Sequence, residues 1–218
     1  MALTQTQIEE LFRFCEKKFV RHYDLQVELV DHLASRIEEE IEVDEKLTFE
    51  AALKKVYAGF GLFGFAHIVR ERGESLRKQH NKTYRDEVKR FFTLPKIVLT
   101  ISLFLLFLYA GEMMPSEYRL FVFYALLAPC FFMQLYKLRR LRKMEAKALM
   151  LTQYLPASGF FPVVFIFDGI IFDDYKIHAV LFAALCILLL VFESAFFEVT
   201  NRITGKAKRL YPEAFKTT

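Results

Sequence analysis

The chain has 218 residues, 54% of them hydrophobic and 26% charged, with a formal net charge of +4 and a mean hydropathy of +0.23. So much apolar material beside so many charges excludes an evenly mixed globular chain, and points to a small polar domain joined to a membrane unit. Three scattered cysteines, Cys15, Cys130 and Cys186, exclude a disulfide framework and a clustered thiolate metal site.

The N-terminus, MALTQTQIEELFRF, lacks the basic start and apolar core of a secretory signal. Thr6 with Glu9 fits a capping box, and Ile8, Leu11, Phe12, Cys15 and Phe19 recur at helical spacing, which predicts a first helix. A second helix is expected from Asp24, an N-cap residue type, with Leu25, Leu29, Leu33 (or Val30), Ile37 and Ile41 as its apolar stripe. After the polar EVDEKLTFE, Thr48 caps a third helix that buries Phe49, Ala52, Leu53, Val56 and Tyr57. Gly59, Gly61 and Gly64 permit a tight turn into a fourth helix, from about Leu62 to Lys78. Residues 1–82 therefore read as a small cytoplasmic helical bundle.

Within it, YDLQVELVDHLASRIEEE gathers the side chains most suggestive of chemistry. Glu28 and His32 stand four apart and share a helix face, whereas Asp31 is turned about 100° away from His32. Two such ligands are too few for a closed metal site, and the pattern is not the H-E-x-x-H of zinc proteases. His22, His67, His80 and His178 stand at no spacing that completes a set. Glu28, Asp31 and His32 are instead candidate partner-binding residues.

YDLQVELVDHLASRIEEEI followed by LTFEAALKKVYAGFG resembles the small cytoplasmic helical domain called HAAS, and the start of multi-span membrane proteins of Bacteroidota. The similarity lies in an aspartate-started helix with Glu28-Leu29 and Asp31-His32-Leu33, a later acidic run, and a Phe49, Ala51, Leu53 helix ending in glycine. It covers roughly residues 5 to 72. Many such domains carry a Gly-x-Pro step where this chain has Gly59-Phe60-Gly61. HAAS-bearing membrane proteins are commonly encoded beside PadR-type transcriptional regulators. The resemblance thus implies a membrane-anchored regulatory protein and no enzyme activity.

A hydrocarbon core about 30 Å thick needs roughly 20 apolar residues in a helix. Four such runs follow, at about 91–111, 120–136, 148–172 and 177–197, within a transmembrane domain spanning 83–218. Basic residues crowd before the first run (Lys78 to Arg90), between the second and third (Lys137 to Lys147) and in the tail (Arg202 to Arg209). The other two connections carry only Arg119 and Lys176. By the positive-inside rule both termini are cytoplasmic. Juxtamembrane KLRRLRK lacks the interleaved aromatics of a single-strand binder, so it reads as a topology signal that meets anionic headgroups, not as a nucleic-acid site.

Asp168 and Glu193 are the candidate intramembrane polar residues, each about 6 Å from its nearer interface and on opposite sides of the midplane. Pro156, Ser158, Gly159 and Pro162 predict a kink in the third run, and Pro129 one in the second. Ala179, Ala183 and Ala184 allow the fourth run to pack closely on a neighbour, in this chain or in a homo-oligomer.

The expected architecture is all-α: a small cytoplasmic helical bundle followed by a four-helix transmembrane region in a bacterial inner membrane. No cofactor or metal is expected. The expected role is that of a regulatory or accessory protein whose partner is a PadR-type regulator or a membrane complex. The alternative is a small transporter or channel subunit using the kinked third span with Asp168 and Glu193. No catalytic constellation supports a lipid-modifying enzyme.

Overall fold

The computed structural model describes residues 2–155 and 178–215, the Leu120 side chain apart. Over these residues the fold is all-α, and an isolated antiparallel bridge between Glu145 and Phe215 is the one strand-like feature among them. The chain divides into two compact units, the first holding 1–77, 145–154 and 206–218 and the second 78–144 and 155–205. Three separate stretches of chain thus build the first unit.

In the first unit, α1 (Gln5–Lys17) starts at Thr4, whose hydroxyl accepts from the Gln7 N–H while the Gln7 side chain accepts from the Thr4 N–H. The expected Thr6 and Glu9 already lie inside the helix, because Thr4-x-x-Gln7 satisfies the same box two residues earlier. Leu11 and Cys15 are fully buried. Burial pushes the Cys15 thiol up to about 12, which makes it an inert core group. Phe19 does not continue the stripe. It sits beyond the helix end at φ 66 with its ring exposed, and Val20 takes the buried place.

Helix α2 (Tyr23–Val43) starts one residue before Asp24, with His22 at the cap position and no side-chain cap. Its buried stripe is Leu25, Leu29, Val30, Leu33 and Ile37. Thr48 caps α3 (Phe49–Ala58) by accepting from the Ala51 N–H, and Ala52, Leu53 and Val56 are buried. The turn that follows puts Gly61 at φ 72 and Gly64 at φ 50, where a side chain would be strained. It leaves Leu62 and Phe63 exposed and delays α4 to Ala66–Arg90.

The second unit contains α5 (Lys96–Met113), α6 (Ser116–Met144) and the apolar length of α8 (Ala179–Leu210); a short α7 (Met150–Gln153) belongs to the first unit. Helices α5, α6 and α8 are long and apolar enough to cross a membrane. Each starts or ends differently from its expected run. Pro95 precedes α5, whereas α6 and α8 continue through their basic segments because no helix breaker stands before Tyr211-Pro212 or within Arg139–Lys143. The body of the expected third run, with Asp168 and the Pro156 to Pro162 segment, lies outside the described residues.

Outward-facing Leu99, Leu106, Phe121 and Phe132 are exposed, as on lipid-facing helices, while Phe123, Phe182, Leu185, Cys186 and Leu189 form the shared core. Lipid tails are as apolar as leucine, so such helices associate through close packing and hydrogen bonds. Gly111 supplies the closest approach: a Cβ there would lie 3.1 Å from the Phe182 ring and 3.2 Å from the Ala179 Cβ. The Arg119 Nε donates to the Gly111 carbonyl at 2.7 Å, which also accepts from the Met114 N–H at 3.4 Å at the end of α5. Gly111→Leu is therefore expected to lower the thermal midpoint of the detergent-purified chain, at a cost of about 1–3 kcal/mol for overpacking. Gly205→Ala, where a Cβ would meet nothing within 4 Å, is expected to leave it unchanged or raise it.

Candidate functional site

Two features of the first unit meet on α2: a polar fastening at its start and an open groove along its middle. The fastening begins with Asp24, which is buried. Its Oδ1 accepts from the Leu25 N–H at 3.1 Å and the Met150 N–H at 2.8 Å, and its Oδ2 from the Leu151 N–H at 2.9 Å. The first N–H groups of a helix have no partner inside it, and a carboxylate is their strongest side-chain acceptor. Asp24 thus caps α7, not the helix it stands in.

Its two neighbours extend the grip. The Tyr23 N–H donates to the Ala148 carbonyl at 2.9 Å, and the His22 ring is hydrogen-bonded to the Gln153 side chain. The Tyr23 hydroxyl donates to Glu213 at 2.6 Å, and the Lys147 ammonium lies 3.9 Å from the centroid of the same ring. The hydrogen bond to Glu213, followed by burial, raises the Tyr23 phenol to about 12. Nearby, burial raises the Tyr211 phenol, with the charges of Asp24 and Glu28 adding to it. Gly73 completes the joint: a Cβ there would come within 2.8 Å of the Tyr154 hydroxyl and 2.9 Å of its ring, which explains a glycine in mid-helix.

The groove lies between α2, α3 and the start of α4 and encloses about 430 Å³, within the range of ordinary ligand pockets. Glu28, His32 and Arg36 line one side at four-residue intervals, so that successive turns of α2 present them together. Leu25, Leu29, Val56, Phe60 and Ile68 give it apolar walls, and Gly59 keeps the α3 end open. The Glu28 carboxylate pairs with Arg72 of α4 at 3.3 Å.

Of the three candidate partner-binding residues, Glu28 and His32 line this groove. Asp31 is exposed on a different face and does not. Among the described residues no group of three or more histidine, cysteine, aspartate or glutamate side chains gathers to hold a metal. In the second unit, Glu193 accepts a hydrogen bond from the Gln134 amide, so this carboxylate has a polar neighbour on α6.

The fastening was not legible in sequence. The partners of Asp24 lie 126 and 127 residues away along the chain, and the Tyr23–Glu213 pair is 190 apart. Comparison with family models, curated proteins and solved structures yields no match.

Two outcomes follow. Asp24→Ala leaves the N–H groups of Leu25, Met150 and Leu151 without this acceptor and is expected to cost about 1–3 kcal/mol. Amide exchange should then lose protection at Met150 and Leu151 first, with Asp24→Asn intermediate because one amide oxygen remains. The Tyr23 phenol binds its proton more tightly when folded, having risen from 10 to about 12. Its contribution is complete below pH 10 and is lost as pH rises from 10 to about 12. The difference in melting temperature between wild type and Tyr23→Phe should be constant below pH 10 and shrink across that window.

Proposed function

We propose that this chain is an integral membrane protein of regulatory or accessory type, whose first unit is cytoplasmic and binds a protein partner in the groove along α2. The observation that carries this reading is the groove itself. Apolar walls from Leu25, Leu29, Val56, Phe60 and Ile68 beside the charged edge of Glu28, His32 and Arg36 suit the apolar face of an amphipathic helix. An acidic residue on that helix would meet His32 and Arg36. The HAAS resemblance indicates the class of partner: a PadR-type regulator, or a subunit of a membrane complex.

The membrane reading is four spans in a bacterial inner membrane with both termini in the cytoplasm. Its support is parity. Residues packed in one compact unit share one side of a bilayer, and the first unit holds 1–77, 145–154 and 206–218. An even number of crossings must separate each stretch from the next. Helices α5 and α6 supply two between the first and second stretches. Between the second and third, α8 supplies one, and the part beyond 155 of the run expected from the sequence over 148–172, outside the described residues, is read as the other. The basic residues at the inner ends of α6 and α8 agree in sign with that orientation.

The test is affinity purification of the tagged full chain from its native membrane in mild detergent, compared with Glu28→Lys and Arg36→Glu. A stoichiometric protein is expected with wild type, reduced about tenfold or more when a charged edge is reversed, as for the loss of a hydrogen-bonded charge pair. A stoichiometric protein retained equally by both variants, or none with wild type, would overturn the groove as its binding site.

A further inference from the structure

Glu87, near the end of α4, is buried in the second unit with its side chain 5% exposed. Three cations converge on it from three helices. Arg90 of α4 lies at 3.1 Å, Lys96 at the first residue of α5 at 3.6 Å, and Arg202 of α8 at 3.5 Å. Arg202 also reaches Glu198 at 3.3 Å. Among the described residues two carboxylates therefore face three cations, and Glu87 is the buried one of the two.

The cations are not used up by this arrangement. A guanidinium carries five N–H donors and an ammonium three. Arg90 engages Glu87 through Nη1 alone and Arg202 through Nη2 alone. The three side chains remain 62%, 44% and 51% exposed. Glu87 holds one edge of each cation, the Lys96 ammonium also lies 4.4 Å from the centroid of the Phe91 ring, and all three side chains keep exposed surface. A single carboxylate gathering three cations preorganises a surface for a second anion, because the entropy of ordering the long side chains is already spent in the protein.

The position of the cluster defines that anion. Lys96 opens a helix long and apolar enough to cross a membrane, and Arg202 stands in the polar extension of another. Between Arg90 and Lys96 the connection carries exposed Phe92 and Leu94, followed on α5 by exposed Val98 and Leu99. Cations beside an outward apolar strip match a phosphate group attached to acyl chains. We propose that Arg90, Lys96 and Arg202, held by Glu87, bind the phosphate of an anionic phospholipid, with its acyl chain along Leu94 and Val98. This site is separate from the partner groove and rests on the membrane reading above.

The experiment uses the full chain in nanodiscs. Incorporation into purely zwitterionic phosphatidylcholine discs tests the membrane reading by itself. Retention of phosphatidylglycerol against phosphatidylcholine, read by native mass spectrometry on ejection from mixed discs, tests the site. The expected result is selective retention of phosphatidylglycerol, weakened about tenfold in Arg90→Gln, as for loss of one charge-assisted hydrogen bond. Arg90→Gln leaves Lys96 and Arg202 on Glu87, so its melting temperature should stay near wild type. Glu87→Gln removes the charge that gathers the three cations and is expected to weaken retention. Equal retention of the two lipids, an unchanged preference in Arg90→Gln, or displacement of phosphatidylglycerol by millimolar inorganic phosphate would each overturn the assignment.

Discussion

The first unit depends on one carboxylate. Asp24 takes three backbone N–H groups, two of them from the start of a helix far along the chain. Those N–H groups would be orphaned at any helix start, and in a buried position each would be costly without an acceptor. Through them the unit acquires 145–154, and through Tyr23 and Glu213 it acquires the C-terminal segment. The Ala146 and Lys147 N–H groups then both donate to the Ala214 carbonyl, so the two late segments also hold each other. Three regions of chain are pinned at one end of α2, and α2 is the element that presents the groove.

Charge is handled differently along α2. Asp24, at the buried end, is satisfied by backbone donors; Glu28, one turn on, is half exposed and paired with Arg72; His32 and Arg36 open toward solvent beside apolar walls. Exposed ion pairs contribute little to stability, about 0–1 kcal/mol. Polar side chains that border an apolar groove at that low cost are better understood through what they select than through what they hold together. The proposed recognition by Glu28, His32 and Arg36 and the architectural role of Asp24 differ in this way.

The second unit follows other rules. Burying leucine against leucine gains little where the surroundings are apolar, so close contact and polar pairing do more of the work there. Gly111 against Ala179, Gln134 with Glu193, and the Tyr84 hydroxyl donating to the Phe192 carbonyl at 3.3 Å are contacts of this kind among the described residues. Glu87 is the polar centre of the unit, and the cations it gathers exceed what it can neutralise. Apart from Glu87 and Arg90, which stand three apart on α4, these pairs join residues on different helices, and sequence periodicity records none of them.

By itself the sequence determined what depends on local pattern. Helical spacing of Leu11 and Cys15 and of Leu25, Leu29, Leu33 and Ile37 predicted their burial, Thr48 predicted its cap, and the apolar runs predicted α5, α6 and the membrane length of α8. Local pattern also put Glu28 and His32 on one face, away from Asp31, because that separation is a property of a single helix. It misplaced the α1 cap, where two compatible signals stood two residues apart, the α4 start, where glycines set the backbone, and the fate of Phe19. Only the tertiary structure decided that Asp24 caps α7, that Tyr23 holds Glu213, that α3 and α4 close a groove over Glu28 and His32, and that Glu87 collects three cations. These depend on which surfaces meet after the chain has folded, and no spacing along one helix encodes a partner more than a hundred residues away.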